Sequence, residues 1–481
     1  MINKSIWQGE FTDRDSLRKD IKTTVAIIGG GMAGLLTALC LKDAGVPCVV
    51  VEAKRIASGQ TKNTTAKITA QHGYIYHNLI KNFGEEKARL YLKANLDAVK
   101  WYASYIEENK INCDYKEQSA YLYSIYDTKD LKKEQAAYNR LGIQTDLLNE
   151  TSLPFNVAGA LRLEGQGQFD PLAFISHISH GLEIYENTRV IRVEGNTLVC
   201  KNARIQAQHV VFACHYPFVN FPGLFFTRLH QQRSYVLALK GTPKIDGMYI
   251  GIDDEPLSFR QAGEYLLLGG GGHRTGENSV IGRYDRLLFN AKTFYPDCTP
   301  SYKWSAQDCI TADNVPYIGR FGNKNTYIAT GFGKWGMTTC AVAARLITDL
   351  IMGIENPYER VFTPERFSKA ALSGISKEVL HSTKGLIRQN FIIPEKTLES
   401  IPVGHGGIVK YQGKKVGVYR QSAQEYHVVD TKCPHLGCRL EFNPDEKSWD
   451  CPCHGSRFDY MGRLIDNPAQ KNLPCITEKN S

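Results

Sequence analysis

Two short stretches near the C-terminal end, CPHLGC (Cys433–Cys438) and CPCHGSRFD (Cys451–Asp459), constrain this chain more than any other feature. Together they read C-x-H, fifteen residues, C-x-x-H, with one further cysteine in each half. Cysteine and histidine at such spacing are metal ligands, and two halves that share a centre must fold against each other. Structural zinc is one reading, because these side chains bind it tetrahedrally; zinc loops usually present C-x2-4-C, however, and a C-x-H half is unusual among them. The spacing suits an iron–sulfur centre in which two thiolates hold one iron and two neutral imidazoles hold the other.

Residue by residue the two halves resemble the ligand loops of Rieske [2Fe–2S] proteins. The resemblance implies that Cys433 and Cys451 ligate one iron, that His435 and His454 ligate the other, and that Cys438 and Cys453 form a disulfide between the loops. Replacing two anionic thiolates by neutral imidazoles makes the cluster less negative and easier to reduce. High-potential members carry a serine and a tyrosine beside the cluster; Ser456 matches the first, but Phe458 stands at the tyrosine position. With one hydrogen bond missing, the expected potential lies below that of respiratory-chain centres. The segment DNPAQKNLP, with Pro468, resembles the proline loop that covers the cluster.

A chain of 481 residues, 42% hydrophobic and 22% charged, has room for two to four domains and the composition of an ordinary globular protein. Thirteen cysteines look like a disulfide framework, yet four lie in the two loops and the rest are scattered singly. That usage suggests a reducing compartment, and MINKSIWQGEFTDRDSLRKD lacks the apolar run of a secretory signal, so the expected location is cytoplasmic. The uncharged run Val25–Leu41 is too short for a membrane span and is broken by three glycines. A net charge of +9 without a Lys/Arg block excludes an obvious nucleic-acid surface.

Residues 24–52 alternate strand, glycine turn, helix and strand. Gly29, Gly31 and Gly34 form G-x-G-x-x-G at the first turn, and Glu52 closes the second strand 23 residues after Gly29. The glycines suit a tight turn, backbone approach to a pyrophosphate and close helix–strand packing, while the acidic residue is placed for a ribose hydroxyl. Near the other end, WSAQDCITADNVPYIGRFGNKNTYIATGFGKWGMTTCAVAARLITDLIMG reads as a turn, a strand, a glycine loop and a long apolar helix. The N–H groups at the start of that helix can face an electron-rich ring edge.

This return to the nucleotide domain resembles the glycine, sarcosine and D-amino-acid oxidase superfamily of FAD enzymes over most of residues 20–355. The resemblance implies a flavin lined by Gly331, Gly333, Gly336, Met337 and Thr338; by Ser58, Gly59, Thr61 and Thr65 after the second strand; and by Val190 and Ala213. Many relatives place a lysine for the substrate carboxylate where Thr338 stands, and Cys309 does not align with the cysteine that attaches FAD in some of them, so the FAD is expected to be noncovalent. Lys67 and His72 are the candidates for the reactive face of the flavin. Arg233, Tyr235, His273 and Lys334 lie at expected loop ends, and GGGGHRTGE reads as a tight turn over the flavin.

The expected architecture is an α/β Rossmann-like FAD domain with a β-rich substrate subdomain over residues 1–372, a helix and linker over 373–396, and a small all-β Rieske domain over 397–481. The order resembles bacterial fusions of an FAD-dependent oxidoreductase with a Rieske domain, and RSYV, WSAQD, KWGM and SWDCPCHGSRFD strengthen the match. A flavin takes two electrons together and a [2Fe–2S] cluster takes one, so the expected activity is an amine or amino-acid-like dehydrogenase that passes electrons through the cluster to an unidentified one-electron partner protein. The alternatives are an NAD(P)H-linked reductase, for which a second G-x-G-x-x-G unit is missing, and a non-enzymatic redox sensor or electron-transfer protein.

Overall fold

The structure is a computed structural model, and residues 1–220, 222–278, 280–366 and 397–476 are described. The expected linker, 373–396, and the expected end of the first domain at 372 lie outside the described residues.

The strand Ile21–Ile28 is buried from Val25 onward on both faces, as its continuous VAII run requires of an inner parallel strand. It pairs in parallel with Cys48–Val51 on one side and Arg204–Phe212 on the other. The sheet continues in parallel to Ile184–Tyr185 at one end and to Asn323–Thr330 at the other, where Tyr317–Phe321 adds an antiparallel strand. The helices Met32–Asp43 and Gly336–Met352 pack on one another over this sheet. Gly353 ends the second helix at φ +74, and the Ile354 N–H reaches back to the Asp349 carbonyl at 2.8 Å.

The second layer is a ten-stranded mixed sheet built around Thr299–Thr311, Leu229–Lys240 and Tyr265–Arg274, all antiparallel neighbours. The strand Tyr265–Arg274 corrects one expectation. The glycines Gly269–Gly272 do not form a turn; they continue the strand, because Val236 and Tyr235 pair with Gly269 and Gly270, and Arg233 with His273 beyond a register shift.

The C-terminal part is all β, with one three-stranded sheet (Gly406–Tyr411, Lys414–Arg420, Tyr426–Asp430) and one four-stranded sheet (Glu441–Asn443, Ser448–Asp450, Arg457–Asp459, Leu464–Asp466). Its core gathers Cys433, Cys438, Cys451, Cys453, Trp449 and Phe458. The fold is therefore α/β for the nucleotide part, mixed α+β for the second layer and all-β at the C-terminal end. Among the described residues no helix is long and apolar enough to cross a membrane.

Candidate functional site: a flavin cavity and a cluster site in contact

The two Cys/His loops fold as tight turns. The Cys433 N–H donates to the Cys438 carbonyl at 2.8 Å and the Gly437 N–H to the Cys433 carbonyl at 3.0 Å; in the second loop Cys451 N–H and Ser456 O (2.9 Å), and Gly455 N–H and Cys451 O (2.9 Å), repeat the pattern. Cys438 and Cys453 form a disulfide with Cα atoms 6.5 Å apart. The remaining pair, Cys433 and Cys451, is buried, each thiol within hydrogen-bonding reach of the other. The His435 and His454 rings lie 4.9 Å apart at 89°. Burial pushes the His435 imidazole down to about 4, so it is neutral at physiological pH, and its Nδ1 is buried with no hydrogen bond while Nε2 meets Asn220 Oδ1 at 3.0 Å. Two adjacent thiols beside two neighbouring imidazoles, one of them with an orphaned nitrogen, fit the donor set a Rieske cluster takes. Ser456 Oγ is in hydrogen-bond contact with Cys433 and accepts from the Ala469 N–H at 3.0 Å. Phe458 is fully buried in the same core.

The nucleotide turn opens on a cavity of about 1200 Å³. Gly29, Gly31, Glu52, Ser58, Gly59, Thr61, Thr65, Lys67, Val190, Ala213, Gly333, Gly336 and Met337 all line it, which brings together residues from opposite ends of the first domain. Gly34 lies behind the wall: a Cβ there would stand 1.9 Å from the Gly29 carbonyl oxygen, so only glycine lets the helix approach the turn. Thr61 Oγ1 accepts from the Met32 N–H at 3.1 Å, and the Glu52 carboxylate accepts from the Gly30 and Lys54 N–H groups at 2.8 Å each. By contrast a Cβ on Gly31 would meet nothing closer than the Thr61 hydroxyl at 3.3 Å, and one on Gly59 would meet nothing within 4 Å, leaving backbone exposed to the cavity. A long cleft floored by bare backbone and a helix N-terminus fits a dinucleotide such as FAD.

Besides Gly34, three expected site residues stand away from the cavity. His72 is buried and locked, with Nδ1 2.7 Å from Tyr91 Oη, Nε2 2.7 Å from the Thr69 carbonyl and the ring stacked on Trp335 at 4.8 Å; burial pushes it down to about 3. The expectation that it faces the reactive ring is corrected: it braces Trp335, which does line the cavity. Thr338 is tied to Thr69, accepting from its N–H at 2.8 Å and donating to its carbonyl at 3.0 Å. Gly331 packs on Thr311.

Lys67 keeps its place on the wall. Its Nζ lies 3.0 Å from Thr65 Oγ1, and burial, followed by the nearby Arg260 charge, pushes the ammonium down to about 7. Of the four polar residues at expected loop ends, Lys334, Tyr235 and His273 line the cavity, and Arg233 does so while paired to Glu446 at 2.9 Å.

Glu446 belongs to the Rieske part, and so do Arg457, Asp466 and Asn467, which line the same cavity. Burial alone would raise the Glu446 carboxyl, but Arg233 and Arg457 overcome it and hold the group at about 2. Arg457 bonds Asp450 at 3.0 Å, Glu446 at 3.0 Å and Asp466 at 3.2 Å. Sequence reasoning missed these residues, as it missed His215, Gln231 and Gln307. The signals were that Gln307 falls inside WSAQD, Arg457 inside SWDCPCHGSRFD, and Asp466 and Asn467 inside DNPAQKNLP.

Comparisons with known proteins agree with this geometry. Residues 24–350 match the family of FAD-dependent oxidoreductases, and residues 394–477 match the Rieske [2Fe–2S] domain. The chain is 38% identical to the putative Rieske 2Fe-2S iron-sulfur protein YhfW of Bacillus subtilis (strain 168), over 96% of this chain and 94% of that protein. It is 25% identical to gamma-glutamylputrescine oxidoreductase of Escherichia coli (strain K12), over 72% of this chain and 87% of that one. Glycine oxidase from Geobacillus kaustophilus shares the fold at a TM-score of 0.62 and 18% identity, over 72% of this chain and 99% of that structure. The chain belongs to the FAD-dependent oxidoreductase family and carries, after that domain, a Rieske domain for a [2Fe–2S] cluster.

Proposed function

We propose that this enzyme is a dehydrogenase that oxidises a C–H bond next to nitrogen in an amine or amino-acid-like substrate and sends the electrons singly through the Rieske centre to an external one-electron acceptor protein. The observation that carries the reading is the shared cavity: Glu446, Arg457 and Asp466 of the Rieske part line the same space as Gly31, Lys67 and Met337. When bound, FAD supplies two-electron acceptance with one-electron release, and the cluster supplies a one-electron site. The substrate loses a C–H hydrogen with its electron pair and an N–H proton, leaving an imine for water to hydrolyse, and each turnover reduces two equivalents of acceptor.

In this reading the turn at Gly29 and Gly31 holds the pyrophosphate, Glu52 the ribose, and the residues from Ser58 to Thr65, with Val190 and Ala213, the rest of the dinucleotide. Gly333, Gly336 and Met337 set the helix N-terminus against the ring. Lys67 takes the substrate's N–H proton, because a group near 7 is substantially free amine at neutral pH. Cys309 is buried and its thiol is pushed up to about 12, which keeps it from attacking a flavin and favours noncovalent binding. The relative named gamma-glutamylputrescine oxidoreductase supports an amine substrate.

Anaerobic mixing of the holoprotein with a panel of amines and amino acids, gamma-glutamylputrescine included, and separately with NADH, tests the reading. Flavin bleaching by a panel member, followed by the EPR signal of a reduced Rieske cluster, is expected; bleaching by NADH alone would sink it. Removing a general base costs about 10²–10⁴-fold in rate. Lys67→Met should therefore slow substrate-driven bleaching by about that factor and abolish a rise in rate with pH through about 7, the sense expected as the Lys67 ammonium loses its proton.

A further inference from the structure

The wall between the flavin cavity and the cluster loops contains two buried glutamines that the reading above leaves without a role. Gln231 lies on Leu229–Lys240 and Gln307 on Thr299–Thr311; the ladder pairs Gln231 with Cys309, so the two are diagonal neighbours on one face. The Gln231 amide donates to the His454 carbonyl at 2.8 Å and to the Asn467 carbonyl at 3.1 Å. The Gln307 amide donates to the Gly455 carbonyl at 2.9 Å and to Gln231 Oε1 at 2.6 Å, and its own Oε1 accepts from the Thr275 hydroxyl at 3.2 Å. All four amide hydrogens and both amide oxygens are used. A fully satisfied buried network specifies one arrangement, whereas a partly satisfied one is costly.

The backbones are in contact as well. A Cβ on Gly455 would stand 2.6 Å from Gln231 Cβ, and one on Gly276 would stand 2.3 Å from the Pro452 nitrogen, so the ligand loop lies against the sheet with no room for a methyl group. Asn467 donates to the Cys214 and Tyr216 carbonyls at 3.0 and 2.6 Å. The adjacent residues along each strand, Gln232, Ala306 and Asp308, face the other way and line the cavity, as do Cys214 and His215.

We infer that Gln231 and Gln307 are positioning residues that hold the His454 loop permanently docked on the wall of the flavin cavity. Electrons then cross between two centres fixed in place, without a swing of the Rieske domain on each turnover. The inference rests on the flavin-to-cluster flow proposed above.

Flash photoreduction of the flavin in the holoprotein, followed by cluster reduction in absorbance and EPR, tests it. In the wild type the rate between centres should not change when glycerol raises the viscosity several-fold, because no domain motion gates it. In Gln231→Leu/Gln307→Leu, and in Gln231→Glu, which keeps the shape but loses the donors, the rate should fall at least tenfold and become viscosity-dependent. Flavin content and the EPR line shape of the cluster should stay as in the wild type. A wild-type rate that falls in proportion to viscosity, or variants as fast as the wild type, overturns the inference while leaving the flow intact. The wild-type viscosity series decides it even where a variant fails to assemble. A wild-type cluster that stays oxidised beside reduced flavin overturns the proposed flow itself.

Discussion

The cluster site and the flavin cavity are built on opposite plans. Every cluster ligand that the Rieske resemblance implies, and both halves of the disulfide, falls within the single span from Cys433 to His454, and the turns that carry them close on their own residues. The cavity, in contrast, draws its walls from Asn3 to Gln470, and even the Rieske part contributes to it. A metal centre needs a few atoms at fixed distances, which short loops supply; a large organic cofactor needs a surface, which only distant segments packed together make. The first site is therefore closed and locally specified, the second open and dependent on the whole fold.

The sharpest way to break the comparison is to disable one site and ask whether the other survives. Cys451→Ser should abolish the cluster, seen as loss of iron, labile sulfide and the EPR signal, while flavin absorbance stays. In the reverse direction Gly34→Val places atoms on the Gly29 carbonyl and should empty the flavin site, with cluster EPR retained. Loss of both cofactors in either variant would show that the sites are not separable.

The contact between the two plans is testable through Glu446, the carboxylate shared by Arg233 and Arg457. Its carboxyl is held at about 2, below the unfolded value of about 4.3, so the native state gains stability above the unfolded value and loses it as pH falls from there toward 2. The shift corresponds to about 3 kcal/mol. Glu446→Gln leaves two buried guanidiniums short of a counter-charge and should cost about 3–5 kcal/mol in denaturant unfolding at neutral pH. It should also flatten the acid limb of the stability curve; an unchanged limb would mean that the ion pairs do not bind the parts together.

The smallest expected effect sharpens the local plan. Phe458 is buried in the core that holds the cluster cysteines, and Phe458→Tyr adds a hydroxyl there. A hydrogen bond to a cluster sulfur or a thiolate ligand stabilises the reduced state more than the oxidised one. Voltammetry should show a rise of a few tens of millivolts, within the roughly 59 mV that a tenfold change represents for one electron. A fall would mean that the new hydroxyl finds another partner.

Much of this molecule was legible before its structure. The strand–glycine–helix turn, the closing Glu52, the late helix Gly336–Met352 and the Cys/His loops all carry short-range spacing, and spacing is a local property of the chain. His72 shows where that legibility ended: in sequence it follows soon after the flavin segment, as Lys67 does, and packing against Tyr91 and Trp335 holds it away from the cavity.

Residue types at fixed separation, and the family resemblances they carry, were enough to point to the two cofactor chemistries and the fold class of each part; the Rieske resemblance also implied the ligand set and the Cys438–Cys453 disulfide, and the structure contains that disulfide. Tertiary structure alone decided that Lys67 sits near 7, that Glu446 stays ionised, and that Gln231 and Gln307 meet the His454 loop. Desolvation, ion pairing and buried hydrogen bonds depend on groups brought together from far apart in the chain, and no spacing along the chain records them.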